Sequence, residues 1–278
     1  MSDGDRWDAR IARARHLAAV HPAASEILTV YAELAGFQKD RLETGPLRAR
    51  SAGAEPPGRF FEAETVVAAV PALLSFLSQH APARLADAAA RMRDVDPTEW
   101  LSLVKRYWSA DAHDVADADE AMLFVVEVLL QPFAEVEAMA RGASNPEGTA
   151  ADVPGSSPRA ARCPACSGKP VVGVLREEGQ SARRSLVCGR CFTEWPWPRI
   201  VCPACGEDEF AKLPVYRSDA FAGARIDACD SCRTYLKTID LSKDALAIPV
   251  VDELAAVPLD LWAREQGYTK LRPNLLRM

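Results

Sequence analysis

The chain has 278 residues, of which 49% are hydrophobic, so it is long enough for one large domain or two ordinary ones and is not composed like a disordered chain. Its net charge of −6 is unevenly distributed. Residues 1–158 carry 15 Lys and Arg against 24 Asp and Glu, whereas residues 159–278 carry 18 against 15. Neither half has the basic excess of a protein that binds a phosphate backbone, so we expect no nucleic-acid partner.

No apolar run is long enough to cross a membrane, and we expect no membrane span. The first twenty residues lack the basic start and long apolar stretch of a secretory signal, which favours a cytoplasmic location. In a reducing compartment, clustered cysteines are more often metal ligands than disulfides.

The first half of the chain reads as helical. Apolar residues recur at spacings of three and four over 23–39, 61–79, 83–93, 98–109 and 119–141, which predicts a helical bundle over residues 1–141. In the last of these segments Asp119 is a predicted N-cap, and Pro132 is predicted to kink or split the helix. One apolar face is expected there, formed by Met122, Val125, Val126, Leu129, Phe133 and Val136.

A Gly-, Pro- and Ser-rich stretch at 142–161 is predicted to be a linker. All eight cysteines follow it and all four histidines precede it, so the two halves differ in kind. We place a first four-cysteine ribbon at 162–200 and a second ribbon with a C-terminal helix at 201–278. The predicted fold is therefore α+β, a helical bundle followed by two tandem rubredoxin-like or zinc-ribbon-like modules.

The cysteines form four C-x-x-C pairs, in which each tight turn can present two thiolates to one metal ion while its backbone amides point at the sulfurs. The predicted metal ligands are Cys163, Cys166, Cys188, Cys191, Cys202, Cys205, Cys229 and Cys232.

An internal repeat indicates which pairs belong together. C-P-A-C opens both copies at 163 and 202, C-G-R-C-F-T and C-D-S-C-R-T close them at 188 and 229, and Arg184 and Arg225 stand four residues before the closing pairs. Short apolar runs between the pairs predict small hairpins. The repeat favours consecutive pairing, 163/166/188/191 and 202/205/229/232, over an interleaved cross-brace or four disulfides.

An all-sulfur shell leaves no coordination position for a substrate, so the sites are expected to be structural or to transfer electrons, and the protein is expected not to be an enzyme. Tetrahedral sulfur suits iron and zinc alike, so two metal ions are expected without fixing the element.

From Cys163 to the C-terminus the chain resembles the formate dehydrogenase accessory protein FdhE. The residues that carry the resemblance are C-P-A-C-S-G-K-P-V at 163–171, L-V-C-G-R-C-F-T-E-W at 186–195, R-I-V-C-P-A-C-G at 199–206, D-A-C-D-S-C-R-T-Y-L-K at 227–237 and V-V-D-E-L-A-A-V-P-L-D at 250–260. The resemblance implies a cytoplasmic factor with rubredoxin-like knuckles, commonly associated with iron. It also implies a partner, the catalytic subunit of a respiratory formate dehydrogenase, which needs the factor for its activity.

Two other functions stay open at this point. An electron carrier would use sulfur-ligated iron on a client redox centre, and a zinc-ribbon adaptor would bind nucleic acid, against which the charge already counts.

Two further features have two interpretations each. Trp195, Trp197 and Arg199 could be partner-contacting anchors or a stiff Pro-Trp spacer that packs the two ribbons together. The acidic residues Asp111, Asp114, Asp117, Asp119 and Glu120 could be a solvated loop or a surface for a twin-arginine peptide.

Overall fold

A computed structural model describes residues 3–44, 62–109, 115, 118–140, 160–179 and 181–277. Most of the predicted linker at 142–161 and most of the acidic segment at 111–117 lie outside the described residues. The α+β fold class is confirmed, with helices first and a sheet carrying two four-cysteine groups afterwards.

The described part of the N-terminal half contains six α-helices. They are α1 (Asp3–Val20), α2 (Ser25–Thr44), α3 (Ala63–His80), α4 (Ala83–Arg91), α5 (Pro97–Ser109) and α6 (Glu120–Ala140). The sequence pattern did not predict α1, because a charged residue, Arg10, occupies its inward face between the buried Trp7 and Ala14. Arg10 is tolerated there because its guanidinium binds both carboxylate oxygens of the buried Glu135.

Helix α6 is the centre of the helical half. Asp119 caps it as predicted, since its Oδ1 accepts the backbone N–H groups of Ala121 and Met122 at 2.9 and 3.1 Å. The prediction of one apolar face was too narrow. Residues 122–132 are all buried, because neighbouring elements surround the helix.

The predicted break at Pro132 does not split α6, which runs unbroken through it. Proline has no N–H, so the carbonyl of Val128 loses its helical donor. Gln38 on α2 replaces that donor, because its Nε2 lies 2.7 Å from the Val128 oxygen and 3.1 Å from Oε1 of Gln131. A side chain from a neighbouring helix therefore satisfies the carbonyl that the proline leaves unpaired.

The second half forms one sheet. Its strands are β1 (Pro170–Glu178), β2 (Ser181–Cys188), β3 (Glu194–Pro196), β4 (Val215–Arg217), β5 (Ala224–Cys229), β6 (Thr234–Asp240) and β7 (Thr269–Lys270). The order is β3-β2-β1-β6-β5-β4, with β7 paired to β6. Each ribbon contributes the antiparallel hairpins that the sequence predicts.

The two ribbons are joined edge to edge by a parallel pairing of β1 with β6, in which Gly173 faces Thr238. A Cβ atom at position 173 would lie 2.3 Å from Oγ1 of Thr238, so only glycine permits this approach. Each ribbon thereby covers an edge that would otherwise be open.

The predicted C-terminal helix is two short helices, α7 (Pro249–Ala255) and α8 (Val257–Glu265). Val251 and Leu254 of α7 share a core with Trp7, Leu17 and other residues of α1 and α2. The last residues return to the helical half, where Leu275 and Leu276 pack against both helical cores. The two halves therefore share apolar cores.

A buried ion-pair network fastens α7 and α8 to the sheet. Lys237 of β6 lies 2.9 Å from Oε1 of Glu253 and 2.5 Å from Oδ2 of Asp260, and Lys270 of β7 reaches the same two carboxylates. Tyr235 donates its hydroxyl to Asp260. Burial alone would raise the pKa of Glu253, but Lys237 and Lys270 outweigh it and lower that pKa to about 2. Two cations and two anions offset one another, which makes their burial tolerable.

We expect Gln38→Leu to destabilise the protein by about 1–3 kcal/mol, because it leaves the carbonyl of Val128 buried without a donor. Denaturant unfolding followed by far-UV circular dichroism measures this. Gln79→Leu is the matched control, since Gln79 is exposed, and its effect should stay within about 0.5 kcal/mol. Equal stability of the two variants would show that Gln38 does not support α6 at Pro132.

Candidate metal centres

All four C-x-x-C turns have the same backbone shape. The residue directly after each turn has a positive φ, namely Ser167 (57°), Phe192 (55°), Gly206 (79°) and Arg233 (57°). In three of the turns that residue donates its N–H to the carbonyl of the first cysteine, over 2.8 to 3.2 Å. Backbone N–H groups inside the turns also approach the sulfurs, since Arg190 N lies 3.3 Å from Cys188 Sγ and Ala204 N lies 3.4 Å from Cys202 Sγ.

The turns bring the eight sulfurs together in two groups, the same two groups that the repeat predicts. They are 163/166/188/191 and 202/205/229/232, and within each group the sulfurs lie within 4.8 Å of one another. All eight cysteines are free, so the alternatives of disulfides and of an interleaved cross-brace are not what the structure shows.

The spacing of the sulfurs tests whether a metal ion fits. A tetrahedral ion with metal–sulfur bonds of about 2.3 Å holds its ligands about 3.8 Å apart. In the second group, Cys202 and Cys232 are 3.8 Å apart, and Cys205 and Cys229 are 3.7 Å apart. In the first group the hydrogen-bonded pairs are 3.4 to 3.5 Å apart. Each group is therefore of a size that fits one tetrahedral metal ion of its own.

The thiols of the first group differ in how readily they lose their protons. Hydrogen bonds with Cys163 and Cys188 raise the pKa of Cys166, and the same kind of bond raises the pKa of Cys191. Burial opposes ionisation of Cys188, but hydrogen bonds from the other three thiols lower its pKa. One thiolate is thus stabilised by its neighbours, and a metal ion would displace the remaining protons, so metal affinity should fall as the pH falls.

The two groups differ in exposure. In the first, Cys163, Cys188 and Cys191 are buried and Cys166 is partly exposed. In the second, Cys205 is exposed and Cys232 is partly exposed. Cys202 and Cys229 are buried, so the second group is half accessible, whereas the first is mostly buried.

Of the two interpretations of the Pro-Trp segment, the packing spacer is correct. Trp195 is 1% exposed and Trp197 is 5% exposed, so neither indole is available as an anchor for a partner. Both belong to the apolar cluster that holds the first cysteine group. Strand β3 pairs with β2, which accounts for the burial of Trp195, and only Arg199 of the three proposed anchors is exposed.

The repeat-related arginines meet at the junction of the two ribbons. Arg225 binds both oxygens of Asp227, and Arg184 from the first ribbon lies 3.1 Å from the same carboxylate. Arg184 also donates to the carbonyl of Val201 at 3.2 Å. The repeat noted in the sequence thus places two arginines on one shared acid, a contact that spacing alone did not indicate.

The chain therefore belongs to the class of proteins in which two cysteine ribbons form one sheet that packs against an α-helical domain of the same chain. Comparison with known proteins finds similarity to one family in the metal-bearing half. Residues 162–199 match the family model "FdhE, central domain", and residues 200–277 match "FdhE, C-terminal domain". Residues 162–277 therefore match both FdhE domain models, and the resemblance seen in the sequence is confirmed.

Curated relatives match over the same region. A protein FdhE homolog from Aquifex aeolicus is 39% identical over 115 residues, which are 41% of this chain and 41% of that protein. A protein FdhE homolog from Pseudomonas aeruginosa is 36% identical over 119 residues, or 41% of this chain and 38% of that protein. The matched stretch thus spans about two fifths of these relatives' own length.

The crystal structure of the FdhE protein from Pseudomonas aeruginosa shares the fold over nearly the whole chain. The TM-score is 0.69 at 24% identity, and the alignment covers 99% of this chain and 97% of the other. The helical half therefore has the same architecture as that protein, although the sequence similarity is concentrated in the ribbons.

None of the described helices is both long and apolar enough to serve as a membrane span.

The positive φ of the turns generates a prediction. Gly206→Ala should weaken the metal-loaded protein by about 1 kcal/mol, because a side chain disfavours the left-handed region. Ser167→Gly should strengthen it by a similar amount, since Ser167 is exposed and its φ is 57°. Thermal unfolding with metal content held constant measures both changes.

Gly223→Ala is the control, because its φ is not positive and its added Cβ would meet nothing within 4 Å. A loss of stability in Gly223→Ala as large as in Gly206→Ala would contradict the account of the turns.

Proposed function

We propose that each four-cysteine group binds one metal ion through all four sulfurs, and that the protein is a formate dehydrogenase accessory factor. In this proposal the protein acts in the cytoplasm, binds the catalytic subunit of a respiratory formate dehydrogenase and is needed for that enzyme's activity. It does not itself catalyse a reaction. The observation that carries the proposal is the match of residues 162–277 to both FdhE domains, with the cysteines gathered in two four-sulfur groups.

The geometry supports a binding role. Four sulfurs fill a tetrahedral shell, so a bound ion would have no position left for a substrate or for water. The ion's contribution would be to hold two turns together and so fix the surface around them. Iron is favoured by the family resemblance, and zinc fits the same four sulfurs.

The exposed apolar side chains of the metal-bearing half support a partner surface away from the buried tryptophans. Phe210 is 75% exposed, and Ile200 and Val215 are about half exposed. Phe210 lies in the second ribbon and Ile200 directly precedes it, and both are near the exposed Cys205 in sequence, so the accessible apolar side chains gather around the second ribbon. We assign the contact with the catalytic subunit to the metal-bearing half on this basis.

Metal analysis tests the ligand assignment. Protein purified under reducing conditions should contain about two metal ions per chain, and Cys163→Ser or Cys202→Ser should each lower the content to about one. Inductively coupled plasma mass spectrometry gives the content. Ser231→Ala, in the closing turn of the second ribbon but without a ligand atom, should retain two. Metal-free protein with free thiols would contradict the assignment.

Genetic deletion tests the function. A strain without this protein should make the formate dehydrogenase polypeptide but show little formate oxidation. Plasmid-borne wild type and Gly223→Ala should restore activity, whereas Cys202→Ser should not, because the second ribbon loses a ligand. Affinity purification of the wild-type protein should recover the catalytic subunit. Full activity in a deletion strain that has no second copy would refute the assignment.

The surface position of the second centre favours one other function, that of an electron carrier. With iron bound, the exposed Cys205 would place the centre within reach of a partner's redox group. A potentiometric titration of iron-loaded protein separates the two functions. Electron transfer would be favoured if the iron-loaded protein shows a reversible iron couple and if the Phe210→Ser variant still binds the partner. The absence of any iron couple would exclude electron transfer.

A further inference from the structure

One turn of the first centre, the segment Cys188–Phe192, contacts the helical half directly. Arg190 stands between the two cysteines of this turn and is 5% exposed. Its Nη2 donates to the carbonyl of Tyr107 at 2.9 Å, its Nη1 lies 3.4 Å from the carbonyl of Trp108, and its guanidinium lies 4.9 Å from the ring of Tyr107.

Those two carbonyls belong to the last turn of α5, where helical carbonyls lack intrahelical donors and a cation is favourable. Arg190 therefore caps the C-terminus of α5 with its side chain. Its own backbone N–H points at Cys188 Sγ. One residue thus connects the sulfur cluster to the end of a helix.

The C-terminal tail contacts the same turn. A Cβ at Gly189 would lie 2.5 Å from Nε of Arg272, so the tail passes against the turn where only glycine fits. Arg272 is buried and donates to the hydroxyl of Tyr107 at 3.1 Å, and that hydroxyl donates to Glu127 of α6 at 2.9 Å. The turn, the tail and two helices therefore share one buried set of contacts.

Helix α1 contacts the other end of the turn. The guanidinium of Arg10 lies 4.7 Å from the ring of Phe192, the residue of positive φ after Cys191. Cys163, Cys188 and Cys191 also belong to one apolar cluster with Ala134 and Ala138 of α6. The first centre is thus in contact with α1, α5 and α6.

The second centre is built differently at the matching positions. Ser231 occupies the place of Arg190 in the repeat, and its hydroxyl bonds to Glu207 within the same ribbon. Arg233, which follows the turn as Phe192 does, bonds to Asp230 and to the carbonyl of Gln266 and covers the ring of Tyr268. These contacts of the second closing turn lie within the metal-bearing half.

We propose that the first centre is a metal-dependent joint between the two halves, whereas the second centre is independent of their docking. A metal ion at the first centre would fix the turn from Cys188 to Phe192 in the shape that lets Arg190 cap α5 and Phe192 meet Arg10. Loss of that ion frees the turn and loosens α5 and α1. The second ion leaves first, because Cys205 and Cys232 are accessible and the ligands of the first centre are mostly buried. This inference rests on the metal ligation proposed above and not on the assigned partner.

Stepwise metal removal from the full-length, zinc-loaded protein tests the joint. Native mass spectrometry counts zinc as EDTA is added, and hydrogen exchange at each stage reports on α5 and α1. When one zinc ion has been released, from the second centre, hydrogen exchange in both helices should be unchanged. Release of the remaining zinc ion, from the first centre, should raise exchange at the end of α5 by about tenfold or more. A rise in hydrogen exchange on release of the first of the two zinc ions, or no rise after both have been released, would overturn the proposal.

Variants assign the response to named residues. Arg190→Ser, which copies the second ribbon, should keep two zinc ions and yet raise exchange in the last turn of α5. Ser231→Ala should keep two zinc ions and leave α5 unchanged. Cys205→Ser should bind one zinc with α5 still protected. Protection of α5 in Arg190→Ser equal to that of the wild type would refute the joint, whereas a wild type that binds no zinc would refute the metal ligation on which it rests.

Discussion

The structure of the metal-bearing half depends on one constraint: in each cysteine group, four sulfur atoms must lie within 4.8 Å of one another. Each group needs two turns from distant parts of the chain, and each turn needs a residue of positive φ, which costs about 1 kcal/mol or more where that residue is not glycine. Three of the four turns accept that cost. Such strain persists only where surrounding structure overdetermines it, and a metal ion bonded to both turns would supply that structure.

The two ribbons are duplicates in sequence, but the protein uses them asymmetrically. Pairing of β1 with β6 makes one sheet of them, and the ion pairs among Lys237, Lys270, Glu253 and Asp260 attach α7 and α8 to it. The closing turn of the first ribbon then contacts the helices, whereas the closing turn of the second keeps its contacts within the metal-bearing half. The divergence of the repeat at positions 190 and 231 follows this difference, since arginine reaches outward to a helix where serine stays within its own ribbon.

Much of this could be predicted from the sequence because local signals agree with the fold. The C-x-x-C repeat predicted the grouping of the cysteines, and the period of apolar residues predicted five of the six described N-terminal helices. What could not be predicted depends on contacts between distant residues. Helix α1 was missed because Arg10 breaks its apolar pattern, and only the distant Glu135 makes its burial tolerable. The continuity of α6 through Pro132 depends in the same way on Gln38 of another helix.

The central claim is that each group binds its ion with sulfur alone. X-ray absorption at the K-edge of the native metal in the full-length protein measures this most directly. All-cysteine ligation predicts about four sulfur neighbours per metal ion at about 2.3 Å, with no oxygen or nitrogen shell. A fitted shell containing oxygen or nitrogen, or fewer than four sulfurs averaged over the two sites, would contradict it.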